Sequence, residues 1–88
     1  MIARRLVVSG RVQGVFFRDS MRREAASRGV AGRVRNRDDG TVEAHLEGAD
    51  DDVEAVIAWA RRGPSRAEVA SVDVSDAAVE GLTGFDVG

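Results

Sequence analysis

The chain has no cysteine and no lysine, and only one histidine and one proline among its 88 residues. Without cysteine there are no disulfides, no thiolate catalysis and no cysteine-based metal sites. Because all 13 basic residues are arginine, catalysis by a lysine amine, including its Schiff-base chemistry, is excluded. A lone histidine argues against a protein-built zinc site, which draws on several Cys or His ligands. No apolar run approaches the roughly 20 residues of a membrane span. No signal-peptide pattern opens the chain, so the expected location is the cytoplasm.

What is present is ordinary for a small globular protein: 43% hydrophobic and 32% charged residues. The length allows one domain, residues 1–88, and a monomer is the expectation. A net charge of −2 gives a field that does not favour nucleic acid.

Hydrophobic periodicity divides the chain into elements. Residues 5–12 alternate, with Leu6, Val8, Gly10 and Val12 on one face, which predicts a half-buried strand. Phe17, Met21 and Ala25 then recur every fourth residue, and Gly29 supplies a stop, giving a helix near 18–28. Val30, Gly32 and Val34 mark a second strand and Val42, Ala44 and Leu46 a third. Residues facing each other across the hairpin must share a sheet face. A three-residue loop meets that condition, with a type I turn at Asp38-Asp39 and a left-handed Gly40. The register then sets Val34 opposite Ala44, Arg35 opposite Glu43 and Arg33 opposite His45.

Asp50, Asp51 and Asp52 open a second helix whose buried stripe is Val53, Val56, Ile57 and Ala60. Asp51 and Glu54 have capping-box spacing, and Gly63-Pro64 ends the helix. Residues 67–75 form a fourth strand with Val72 and Val74 inward, and Phe85-Asp86-Val87 can add a short fifth. The order β-α-β-β-α-β predicts an α+β ferredoxin-like sandwich, an antiparallel sheet with two helices on one face.

The chemistry-bearing stretch is Gly10-Arg11-Val12-Gln13-Gly14-Val15-Phe16-Phe17-Arg18. It reads as strand, glycine-bearing turn and helix start. Unpaired N–H groups and the helix dipole at such a junction favour an anion, and Arg18 adds a fork of donors. On spacing alone, a plain turn followed by a surface arginine explains it equally well.

Elsewhere the simpler explanations suffice. The Asp50–Asp52 cluster could hold Mg²⁺ or Ca²⁺, but helix capping accounts for it. His45 is expected on the outer sheet face, solvated or paired. Ser9, Ser20 and Ser27 have no activating histidine, and Trp59 borders an apolar helix face, where packing is its expected role. RNA recognition on the sheet face would use strand aromatics; the central strands have none, and Glu43 and Glu47 sit among the arginines. A small-molecule regulatory domain of the same architecture is the other reading.

Two motifs move the balance. Gly10 to Arg18 resembles the first signature of the acylphosphatase family. Gly32-Arg33-Val34-Arg35-Asn36, followed by Gly40 and Val42, resembles its second. The spacing and element order also match over essentially the whole chain. Arg33 stands where the family usually has an aromatic, which implies altered packing. The ending Gly-Phe-Asp-Val-Gly lacks the family's common basic or aromatic residues.

The resemblance implies a metal-independent hydrolase that converts an acyl phosphate into a carboxylate and inorganic phosphate. It casts Arg18 as the phosphate-binding arginine and Asn36 as the residue orienting the attacking water. Gln13, Gly14, Val15, Phe16, Phe17 and Arg18 form the phosphate-binding loop. The only partner expected is the small acyl phosphate, with no cofactor, metal, nucleic acid or membrane. The alternative within the family is an accessory domain of a carbamoyl-phosphate-using machine. Such domains usually sit inside longer chains, whereas this one runs from Met1 to residue 88.

Overall fold

Alternating apolar residues of the strands converge on one sheet face, and two amphipathic helices pack against it. The computed structural model describes residues 1–88. Its elements are β1 (Ile2–Arg11), α1 (Phe17–Ser27), β2 (Ala31–Asn36), β3 (Val42–Gly48), α2 (Asp50–Arg62), β4 (Glu68–Asp76) and β5 (Phe85–Val87). They form a ferredoxin-like sandwich with strand order β4-β1-β3-β2-β5. β1 pairs antiparallel with β3 and β4, and so does β2 with β3. The four main strands pair antiparallel as expected, and the short fifth strand, β5, joins β2 in parallel, which makes the five-stranded sheet mixed.

The helix stripes are those the periodicity predicts. Phe17, Met21 and Ala25 of α1 and Val53, Val56, Ile57 and Ala60 of α2 meet Leu6, Val8, Val34, Val42, Ala44 and Leu46 in one buried cluster. Each fully buried Leu, Val or Met contributes about 1.5–3 kcal/mol relative to exposure, so the pattern is strongly selected. Trp59 packs on Phe17 with ring centroids 5.3 Å apart, joining the two helices. Neither helix is long and apolar enough to cross a membrane.

The hairpin register is also as expected, with Arg35 opposite Glu43 and Val34 opposite Ala44. Arg37 N–H donates to Thr41 O at 2.8 Å, and Gly40 takes φ +89°, the left-handed conformation the turn requires.

Three local expectations change. Ala49, not an aspartate, precedes the first turn of α2, and no side chain caps it. The Asp51–Glu54 capping box is absent; Asp50, Asp51 and Asp52 fill the first turn, where they complement the helix dipole. In β4, a bulge at Ala70, opposite the Ser9–Gly10 step of β1, shifts the pairing. Val69 is thereby turned onto the core beside Val72; Val74, opposite Leu6 on the same face as Val72, stays 39% exposed. Gly10 makes the bulge feasible: a Cβ there would stand 2.2 Å from Glu68 O.

The third change concerns His45: it lies on the outer sheet face and is paired, as expected, but it is buried rather than at the surface. After β4 the chain crosses the outer sheet face, beginning where Ala77 N–H donates to Ala3 O. Glu47, 2% exposed, is the anchor of this strap. Its carboxylate accepts from His45 Nε2 at 2.7 Å and from the N–H groups of Glu80, Gly81 and Leu82 at 2.7, 3.0 and 2.9 Å. Arg33, standing where an aromatic was expected, donates two 2.9 Å hydrogen bonds to Glu80.

Burial opposes ionisation of Glu47, but the bonds from His45, Glu80 and Leu82 outweigh it and push its pKa down to about 2 from 4.5. The unfolded chain therefore takes up this proton at higher pH than the folded one. The stability Glu47 provides is complete above pH 4.5 and is lost as pH falls toward about 2. Glu47→Gln is expected to lower stability at neutral pH by about 1–3 kcal/mol. The difference between wild type and variant should shrink through that acid window in urea titrations at stepped pH.

Candidate active site

The segment between β1 and α1 is held by its apolar residues. Val12, Val15 and Phe17 are buried in the core, which leaves Gly14 and Phe16 facing outward. The backbone is left-handed at Gly14 (φ 72°) and at Phe16 (φ 61°). Alternation of this kind turns successive N–H groups into a common concavity suited to an anion. A Cβ built on Gly14 would meet nothing within 4 Å, so the space beside the loop is open.

Helix α1 begins here without a cap. Phe16 occupies the N-cap position and no side chain satisfies the first turn. The first helical bond is Ser20 N–H to Phe16 O at 3.0 Å; the N–H groups of Gly14 through Asp19 donate to no backbone carbonyl. A helix terminus left in this state favours a bound anion.

Gln13 does not offer its side chain to the concavity. Its Nε2 donates to Arg37 O at 2.8 Å and to Thr41 O at 2.9 Å, tying the loop to the β2–β3 turn. Arg37 directly follows Asn36, so the brace fixes the loop beside the end of β2. Asn36 pairs with Val42 and shares the parity of Val34, which places its side chain on the helix-bearing face. Asn36 Oδ1 is buried and has no hydrogen-bond partner in the protein.

Arg18 lies in the first turn of α1, where its Nη1 donates to Gly88 O. Gly88 N–H in turn donates to Val34 O at 2.8 Å, two residues before Asn36 on β2. The expected residues therefore gather at one end of the β2–α1 layer. Asp19, also bordering the cleft, is engaged by Arg22 at 2.7 Å and Arg23 at 2.9 Å. The Arg22 hydrogen bond holds the Asp19 carboxyl below the usual carboxylate range.

A loop of free N–H groups, one guanidinium and an unpartnered buried amide oxygen suit a phosphoryl group and a water. Comparison with known proteins agrees. The sequence model of the acylphosphatase family matches residues 4–87. The chain belongs to the acylphosphatase family. An acylphosphatase of Thiobacillus denitrificans is 54% identical over 92% of this chain and 90% of its own length. The acylphosphatase crystal structure from Bacillus subtilis superposes with a TM-score of 0.96, at 36% identity, covering 100% of this chain and 99% of that one. Full-length HypF, solved with phosphate and nucleotide bound, contains a similar unit (TM-score 0.88, 26% identity), covering 99% of this chain but 12% of HypF.

Sequence reasoning missed three features of this segment: the left-handed Phe16, the Gln13 brace and the Gly88 contact. One signal was available for the first. No Ser, Thr, Asp or Asn stands at positions 14–16 to cap α1. Gln13→Ala strips the donor from two partly buried carbonyls. It is expected to cost about 1–2 kcal/mol of stability and to weaken binding of inorganic phosphate several-fold, measured by calorimetric titration.

Proposed function

We propose that this acylphosphatase hydrolyses the carboxyl–phosphate bond of small acyl phosphates through the loop of residues 13–18, with Arg18 and Asn36 as catalytic residues. The observation that carries the reading is the buried, unpartnered Oδ1 of Asn36, on the residue before Arg37, whose carbonyl Gln13 of the loop binds. A buried acceptor in a polar site calls for a donor such as a water O–H. An amide oxygen is too weak a base to remove a proton, but it orients the water it accepts from.

In the reaction, the N–H groups of Gly14–Arg18 and the Arg18 guanidinium hold the phosphoryl oxygens and stabilise their charge. The water oxygen forms the new P–O bond. The bond from phosphorus to the acyl oxygen breaks, and its electron pair leaves with the carboxylate. One water proton stays on the attacking oxygen, and the other passes to a phosphoryl oxygen. Carboxylates have conjugate-acid pKa values of about 4, so the leaving group needs no general acid. Asp19, already hydrogen-bonded by Arg22 with its pKa lowered, is poorly suited as a base.

The second reading, an accessory domain for a carbamoyl-phosphate-using machine, draws on the likeness to one segment of HypF. The discriminating assay is inorganic phosphate release from acetyl phosphate by the purified chain in EDTA. Turnover undiminished by EDTA is expected; a folded but inactive chain would favour the accessory reading. Arg18→Ala should abolish detectable phosphate binding and lower kcat/KM by about a thousandfold or more. Asn36→Ala should lower kcat by about a hundredfold or more while phosphate binding is largely retained. Near-wild-type turnover by Arg18→Ala would overturn the assignment.

A further inference from the structure

A second cleft, larger than the one beside the β1–α1 loop, lies on the outer sheet face. Its volume is about 440 Å³ against about 260 Å³, and none of residues 13–18 borders it. Small-molecule sites typically span about 300–1,000 Å³. The guanidinium groups of Arg5, Arg33 and Arg35 line it. Each is held by a carboxylate: Arg33 donates two 2.9 Å hydrogen bonds to Glu80, and Arg5 and Arg35 both donate to Glu43. A guanidinium donates in its own plane, so these bonds use its edge and not its faces. The Arg33 and Arg35 side chains are 51% and 61% exposed, so a flat ligand can reach those faces. Asp86 differs from the other acids of the cleft. The β5 register sets it beside Arg33, but Glu80 holds that arginine and the Asp86 carboxylate has no partner in the protein. The positive groups Arg5, Arg33 and Arg35 are balanced by Glu43, Glu80 and Asp86 on the same walls, and His45 is bound to Glu47. The cleft therefore has no surplus charge to attract a free anion.

We infer that this outer cleft is a second ligand site, for an uncharged planar heteroaromatic with two adjacent N–H donors, the chemistry of a guanine nucleoside. The ring stacks on the arginine faces, an attraction between the cation and the π-system. Its ring N–H and exocyclic amino group donate side by side to the two oxygens of Asp86, and the methyl groups of Ala77 and Ala78 border the same space. Other chemistries fit less well. An anion would have to displace Glu43 or Glu80 from their arginines. An aliphatic ligand would take water from Asp86 and return no donor. Adenine sets an acceptor beside its amino group, which would face the second Asp86 oxygen with a lone pair. A chain of net charge −2 with balanced walls suits a free nucleoside better than a nucleic acid, whose binding rests on phosphate contacts. The site is separate from the loop of residues 13–18 and does not depend on how that loop acts.

The test titrates guanosine into the isotope-labelled chain and follows the amide signals of Ala77 and Ala78 and the Nε–H signals of Arg33 and Arg35 by NMR. Inorganic phosphate is present throughout, so that an anion site elsewhere is already filled. Saturable shifts at these positions are expected, with half-saturation below about 0.5 mM. Adenosine should bind about tenfold more weakly. Asp86→Asn should weaken guanosine about tenfold, since it replaces one acceptor oxygen by a donor. Arg35→Lys keeps the charge that Glu43 needs but removes the flat face, and should weaken guanosine about threefold. Arg62→Lys, at an exposed position of α2 outside the cleft, should change nothing. The substituted side chains are exposed, and the same spectra report whether each variant is folded. No saturation up to about 2 mM guanosine, equal affinity for adenosine, or unchanged affinity in either Asp86→Asn or Arg35→Lys would overturn the inference. A guanine-rich oligoribonucleotide that binds more than about tenfold tighter than guanosine would overturn it too, by making nucleic acid the ligand.

Discussion

The site depends on one constraint: a run of backbone N–H groups must be held unpaired and convergent. Such groups ordinarily recruit carbonyls, side-chain caps or water, and a buried donor left without a partner costs about 1–3 kcal/mol. Here the loop cannot relax to satisfy them. Val12, Val15 and Phe17 are fixed in the core, and Gln13 is fixed by two carbonyls of the neighbouring turn. Phe17 in turn packs on Trp59 of α2, so the second helix supports the geometry of a loop to which it contributes no residue. The concavity is thus set by apolar packing, although the groups that line it are polar.

The two sheet faces divide the labour. The inner face carries the core and, at one end, Asn36. The outer face is charged but largely self-neutralised. Glu43 is bound by both Arg5 and Arg35, Arg33 is paired with Glu80, and Glu47 is enclosed by His45 and three backbone N–H groups. The strap that encloses Glu47 continues into β5, whose parallel pairing with β2 leads to Gly88 and the Arg18 contact. One irregular segment therefore closes the outer face and also reaches Arg18.

Residues whose role follows from a period were legible in the sequence. The stripes of both helices and the hairpin register all follow from 3.6-residue and 2-residue repeats, because burial selects them strongly. The proposed pair, Arg18 and Asn36, stood out through two spaced motifs. Less legible were features that rest on backbone groups every residue possesses. Nothing in the side chains of residues 77–84 announces that three of their N–H groups will bind Glu47 and bury His45. The β4 bulge is hidden for a related reason: Gly10 continues the alternation of β1 on paper, and only the partner strand reveals the extra residue. The capping box failed because α2 begins two residues earlier than its spacing assumed.

The sparse chemistry of the chain suits the reaction proposed for it. Displacing a carboxylate from phosphorus requires neither a strong acid nor a strong base, so the lack of cysteine and lysine removes nothing the step needs. His45 is likewise committed elsewhere, in the strap network. What the step does require is that charge on the phosphoryl oxygens meet donors already in place, since donors that must reorganise during the reaction forfeit much of their benefit. An uncapped helix start is such an arrangement, because its N–H groups have no competing backbone partner to leave. Part of the stability lost in leaving them unpaired is recovered when an anion binds, and it is recovered most fully when the bound charge is greatest. A side-chain cap on α1 would steady the helix and occupy the donors that the phosphoryl group needs. That trade accounts for Phe16, a residue with no capping ability, at the position where a cap would normally stand.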